Sequence, residues 1–289
     1  YISDAGIDVS QYGGVDKQIT VDGSLYELPF RNDFWVLFYN KDIFDAAGVE
    51  YPTNDMTFEE YDALARQVAD PTFGAQVYGT HYHTWRSAVQ LFGVLDGKHS
   101  ILDGEYDFFK PYYEMVLGQE DDQICRNYAD LSAEGLHYSA AFSGGDVAMM
   151  NMGSWFISTM IANLQSGEYD SSLCGNWGMV KYPHAEGVEA GSTLGTITGL
   201  SVTSVSEQKQ AAFDFVAWVS GAEGAKVMAE TGNFPALMND EVAGIISGLD
   251  GFPTDDASKE ALNVSNLYLE VPYAENVSAI NDILDTYHK

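Results

Sequence analysis

Hydrophobic and polar positions along this chain follow two periods, one of strands and one of helices, and the two alternate from end to end. Phe34-Trp35-Val36-Leu37-Phe38-Tyr39 is a β-branched and aromatic run that reads as a buried strand. A short helix follows over 41–47, stopped by Gly48 at the C′ position. Thr57-Phe58-Glu59-Glu60 is a capping box, and the helix it opens runs to about Ala69, ahead of Asp70-Pro71. Helices are predicted from Trp85 to Asp96-Gly97 and over 107–117, where Pro111 is tolerable only in the first turn. Residues 146–150 read as a strand that Gly153-Ser154 turns into a helix over 155–164. Further strands fall at 177–181 and 196–203. Ser204-Val205-Ser206-Glu207 offers a second capping box, before a stripe of Ala211, Ala212, Phe215, Val216 and Val219 at helical spacing. One more helix starts at Gly221-Ala222 and closes at Gly232, and helices over 257–267 and 277–287 end the chain. This alternation predicts an α/β architecture.

Composition narrows what such a fold can do. Thirteen basic against 43 acidic residues give a formal charge of −30, which repels phosphate backbones and excludes a nucleic-acid partner. Anionic membrane surfaces are disfavoured for the same reason. The most apolar stretch, 147–162, is broken by Asn151, Gly153 and Ser154 and is too short to span a bilayer. The chain opens at Tyr1 without the basic and apolar regions of a secretory signal, so it reads as a processed or trimmed product. Cys125 and Cys174 are two cysteines in 289 residues, neither a disulfide framework nor a metal spacing. Aromatic residues make up 13% of the chain; most belong to the core, yet an acidic and aromatic-rich protein also suits a ligand polar at its edges and apolar on its faces.

Four segments, in order, resemble the extracellular solute-binding proteins of carbohydrate ABC transporters, the maltose-binding-protein-like family. Leu28-Pro29-Phe30 with Leu37-Phe38-Tyr39-Asn40-Lys41-Asp42-Ile43-Phe44-Asp45-Ala46-Ala47-Gly48 is similar to the family's "LPY…YNKDLFEKAG". Phe142-Ser143-Gly144-Gly145-Asp146-Val147-Ala148-Met149-Met150 with Gly153-Ser154-Trp155 resembles "F…GKAAM…GSW". Gly178-Met179-Val180, Pro183 and the run 195–201 form the third segment; 211–219, Ala222-Glu223 and Thr231-Gly232-Asn233-Phe234-Pro235-Ala236 form the fourth. The resemblance implies a two-lobed periplasmic-binding-protein-like fold of class II, with the ligand cleft between lobes that close by a hinge motion. The lobes are expected at 1–35 with 199–250 and at 36–198 with 251–289. Family members carry more chain before the first segment and after the last helix, so the N-terminal lobe is expected to be incomplete here. The resemblance also implies a monomeric, cofactor-free binding protein. It would serve the permease subunits of an ABC importer, lipid-anchored at the extracellular face of the membrane or free in a periplasm.

Sugar recognition needs aromatic rings against C–H faces and planar polar groups against hydroxyl pairs. Trp155, after its Gly-Ser turn, sits where the family's stacking tryptophan sits. Asp33 matches the family's acidic hydroxyl-binding residue and is expected to face the ligand, the alternative being a pair with Arg31, since an unpartnered buried carboxylate is costly. Arg31, Asn32 and Trp35 share its segment, but strand alternation allows only one face into a cleft. Trp85, Thr198 between Gly195 and Gly199, and Tyr273 after Pro272 complete the expected ligand-binding set. Trp177, Met149, Met150, Met152 and Met160 are read as core.

Rival readings are weaker. A glycoside hydrolase needs two carboxyl groups at a fixed separation, and 43 acidic residues make chance pairs uninformative. There is no Gly-x-Ser-x-Gly elbow, Walker motif or dinucleotide glycine pattern. A metal or anion binder of the same superfamily could use Tyr112-Tyr113, but adjacent helical residues face different ways. His81-x-His83 lacks a third ligand and reads as a solvated loop.

Overall fold

The computed structural model describes residues 1–69 and 76–289; the helix stop expected at Asp70-Pro71 lies outside them. The architecture is mixed α/β, built on one long strand, β1 (Leu28–Asn40). Strands β2 (Met149–Gly153), β3 (Trp177–Lys181), β4 (Ser192–Leu200) and β5 (Asn266–Leu269) join it in a five-stranded sheet of order β2-β1-β4-β5, with β3 also on β1.

β1 changes partners midway. Its first half pairs antiparallel with β4, from Leu28 opposite Leu200 to Phe34 opposite Gly195. The other edge of that half is closed where Asn32 N–H donates to the Phe234 carbonyl at 3.1 Å and Ala236 N–H to that of Phe30 at 2.9 Å. Its second half lies between β2, with Trp35 opposite Gly153, and β3, with Val36 opposite Lys181. β5 pairs parallel to β4, with Ser192 opposite Asn266.

Alternation along β1 divides the core. Phe34, Val36 and Phe38 enter one cluster with Phe156, Ile157 and Met160 of the Trp155–Ser166 helix, together with Trp177, Phe213 and Phe234. Trp35, Leu37 and Tyr39 enter the opposite cluster with Phe44, Phe58, Tyr61 and Phe92. Helices therefore cover both faces, which is why β1 is apolar or aromatic at every position from Phe34 to Tyr39. Each of these large side chains contributes about 1.5–3 kcal/mol on burial. The methionines at 149, 150, 152 and 160 are fully buried packing residues. Cys125 and Cys174 are both free, and they belong to opposite clusters, so the sheet separates them.

Local signals fixed several boundaries. Gly48 takes φ 65° to end the Lys41–Ala47 helix, and the Thr57–Glu60 box caps the Phe58–Val68 helix in both directions. Pro111 stands at the start of the Lys110–Asp121 helix. Other expectations fail. The Ser204–Glu207 box does not cap the next helix, Lys209–Val219, whose N-cap is Gln208 and which has no side-chain cap. Its buried face is Phe213 and Val216, while Phe215 is exposed. The helix expected from Trp85 shrinks to Ser87–Gln90 and a 3-10 turn, Leu91–Gly93. The helix expected over 257–267 is only Asp256–Glu260, because the following residues are drawn into β5 by the open edge of β4.

Where β1 changes partners, a polar clasp joins it to β2. Ser154 N–H donates to the Phe34 carbonyl at 2.7 Å, and Ser154 Oγ donates to Asp33 Oδ1 at 2.9 Å. Arg31 Nη2 donates to the other carboxylate oxygen at 2.8 Å. Burial raises the Asp33 carboxyl above its ordinary range, opposed by Arg31 and Ser154. Replacing Asp33 with Ala leaves Arg31 and Ser154 without their acceptor and is expected to cost about 1–3 kcal/mol of stability, read as a lower urea midpoint.

A second buried polar group sets a pH dependence. His81 is buried against Met150, and neither ring nitrogen has a partner among the described residues. Burial pushes its pKa down from 6.5 to about 3, helped by His83 and Arg126. Above 6.5 the folded and unfolded chains are both neutral there; below it only the unfolded chain takes the proton. Stability is thus expected to fall as pH drops from 6.5 toward 3, by roughly 1.4 kcal/mol per pH unit from this residue. Urea midpoints at several pH values should show a shallower acid slope in His81→Leu than in the parent.

Candidate ligand-binding site

Three tryptophans from three parts of the chain meet at one cavity of about 640 Å³. Trp35 comes from β1, Trp155 from the first turn after β2, and Trp85 from the loop before the Ser87–Gln90 helix. The Trp155 ring meets Trp35 edge to face at 5.8 Å and Trp85 at 6.2 Å. Trp85 also packs edgewise on His83 and Tyr138 and is 41% exposed, whereas Trp35 is fully buried at the base. Gly153 makes the arrangement possible: a Cβ there would lie 2.1 Å from the Trp155 ring, so only glycine lets that ring fold back over the strand end.

A polar wall faces the rings. Arg86, next to Trp85, turns inward and is held on every side. Its Nε forms an ion pair with Asp285 Oδ1 at 3.1 Å, while Nη1 donates to Gln90 Oε1 at 3.1 Å and Nη2 to Asn281 Oδ1. Asn281, Asp285 and His288 share one face of the Val277–His288 helix, whose Leu284 is buried beside Ile101 and Phe109. Burial pushes the His288 pKa down. Across the cavity, Thr196 of β4 donates from Oγ1 to Glu270 Oε2 at 3.1 Å.

The expected binding residues do not all gather here. Trp35, Trp85 and Trp155 line the cavity. Arg31, Asp33 and Trp35 share a face of β1, opposite Thr198 and Thr196 of β4, and alternation sends Asn32 to the other face. Asp33 is buried, and its carboxylate is filled by Arg31 and Ser154, the alternative to the ligand-facing role expected of it. Thr198 is exposed beyond the cavity rim. The gaps left by its flanking glycines hold the protein's own atoms, since a Cβ on Gly199 would strike the Glu27 carboxylate and one on Gly195 would strike Leu267. Tyr273 lies in a neighbouring groove, donating its hydroxyl to Glu27 Oε1 at 2.5 Å. His81 is buried, not solvated as expected, and His83 packs among Trp85, His137 and Tyr138. Tyr112 packs on Phe58 and Phe92 while Tyr113 hydrogen-bonds His288, so that pair does point two ways. Among the described residues, no three His, Cys, Asp or Glu side chains are grouped to hold a metal. Sequence reading missed Arg86, Thr196, Glu270, Asn281 and Asp285. The one local signal was the i, i+4 spacing of Asn281 and Asp285 on a strongly amphipathic helix.

The chain is similar to known proteins over most of its length. The family of bacterial extracellular solute-binding proteins matches over residues 4–247. A sugar transporter from Rhizobium etli, crystallised in an open conformation, is 48% identical with a TM-score of 0.89, over 99% of this chain and 72% of that one. An ABC substrate-binding protein from Listeria monocytogenes, in complex with cycloalternan, is 24% identical (TM-score 0.78, 99% and 71% covered). Maltose-bound MalE3 of T. maritima is 16% identical (TM-score 0.69, 95% and 69% covered), and these two more distant proteins show the shared fold. No curated protein sequence matches the chain. On the extent of the family match and the identity to the Rhizobium protein, this chain belongs to the bacterial extracellular solute-binding proteins and has their periplasmic-binding-protein-like fold.

Proposed function

We propose that this protein binds carbohydrate in the three-tryptophan cavity and presents it to the permease of an ABC importer at the outer side of the bacterial membrane. The observation that carries the reading is the meeting of Trp35, Trp85 and Trp155 at one cavity opposite a hydrogen-bonding wall. Indole faces suit the C–H faces of a pyranose, and carboxylates, amides and hydroxyls suit its hydroxyl edges. The 48% identity to a sugar transporter supports the same ligand class.

In this reading residues 1–35 with 199–250 and 36–198 with 251–289 form two lobes that pivot where β1 changes partners. Trp35 stands beside that pivot, so closure would bring the opposing lobe over rings already in place. The role is binding and release, with the sugar chemically unchanged. A lipid anchor at the cell surface would keep the protein near its permease.

A thermal-shift panel of neutral, acidic and amino sugars, mono- and oligosaccharide, tests the ligand class, because a ligand that binds only the folded state raises its melting temperature. At least one sugar should do so and be recovered intact after long incubation. Steady release of smaller sugars would sink the binding-only role. Trp155→Ala should weaken the best sugar by about 2 kcal/mol or more, roughly thirtyfold, while Trp155→Phe keeps most of the affinity. A Trp155→Ala variant with a lowered melting temperature and an unchanged Kd would make the ring a packing residue only.

A further inference from the structure

The cavity wall contains one buried cation, and its charge is already spoken for. Arg86 is 6% exposed. Each of its three nitrogens meets an acceptor, on Asp285, Asn281 or Gln90. A ligand carboxylate or phosphate would meet a guanidinium already paired with Asp285 and would compete with that carboxylate for its charge.

The carboxylates of Asp285 and Glu270 line the same cavity. Asp285 is 44% accessible and has one oxygen on Arg86, leaving capacity for a second donor. Glu270 accepts from Thr196 through one oxygen. Burial lowers the His288 pKa and so disfavours its charged form. Lys289 stands exposed at the rim, where solvent and salt screen it. Around all of this the protein carries a formal charge of −30, a field that lowers the local concentration of anions.

We infer that the Arg86–Asp285 pair is a charge filter that admits neutral and amino sugars to this cavity and rejects uronates and sugar phosphates. The inference rests on the carbohydrate reading above and adds a selectivity to it. Asp285 acts partly through Arg86, by holding the guanidinium away from the ligand, and partly as a hydroxyl or ammonium acceptor itself. Removing its charge should therefore do more than weaken the native ligand. It should release Arg86 to bind an anion.

The experiment takes the sugar with the largest thermal shift in the panel and titrates that sugar, its 6-uronate and its 2-amino derivative by calorimetry. The parent protein should bind the neutral or amino form at least tenfold more tightly than the uronate. Asp285→Asn should tighten uronate binding about tenfold and weaken the amino sugar, with the uronate gain lost in high salt. Asn281→Asp, which adds a carboxylate on the same helix face, should move both in the opposite direction. The filter is overturned if the panel's best ligand is acidic, or if the uronate affinities of parent and Asp285→Asn agree. A panel in which no sugar of any charge shifts the melting temperature would instead remove the carbohydrate reading beneath it.

Discussion

The structure depends on one strand serving two sets of partners. From Leu28 to Phe34, β1 belongs with β4 and the segment at 234–236; from Trp35 onward it belongs between β2 and β3. A strand interior cannot leave backbone N–H and C=O groups unpaired, so the change must be completed within a residue or two. The Ser154 amide on the Phe34 carbonyl, with Asp33 and Arg31 around the Ser154 hydroxyl, completes it. That a carboxylate is buried there despite its desolvation cost follows from the number of donors aimed at it.

The cavity inherits its geometry from the same junction. Trp35 is the first residue beyond the change of partners, and its register partner on β2 is Gly153, the residue over which the Trp155 ring folds. Trp35 is thus placed by the last rung of the β1–β2 ladder, and Trp155 by the turn into the helix two residues beyond Gly153. Such rings lose little freedom on binding, and preorganised aromatic surface is worth more to a ligand than mobile surface of equal area. Trp85, on a loop and more exposed, is the adaptable member.

The polar wall is built differently, by a helix distant in sequence. Arg86 is drawn inward because Asp285 and Asn281 of the Val277–His288 helix supply acceptors, and that helix is held by Leu284 in a small cluster of its own. The family's binding chemistry therefore meets, in this chain, a wall whose positive charge is neutralised internally. In the proposed reading, the aromatic base would supply affinity for sugar faces in general, while the charge state of the wall would sort among them.

Much of this was legible in the sequence, and the limit is physical. The run 34–39, the Gly48 stop, the Thr57–Glu60 box and the Gly153-Ser154 turn are local signals, and local backbone energetics decided them. Trp155 and Trp85 could be picked out because they stand where the family resemblance places aromatic contacts, Trp155 also for its Gly-Ser turn. The sequence also set the overall charge and the family. Only tertiary structure decided the rest. Residues 28–33 lie outside the apolar run at 34–39, and they extend the strand because β4 and residues 234–236 pair with them. Residues near 266 read as helix and become β5 because β4 has an open edge. Ser204 and Glu207 match a capping pattern, yet the next helix takes Gln208 as its N-cap and has no side-chain cap. Asp33 could have faced a ligand or Arg31, and the position of Ser154, 121 residues away, filled it from within. Arg86 and Asp285 are 199 positions apart, and no local pattern encodes a salt bridge at that separation.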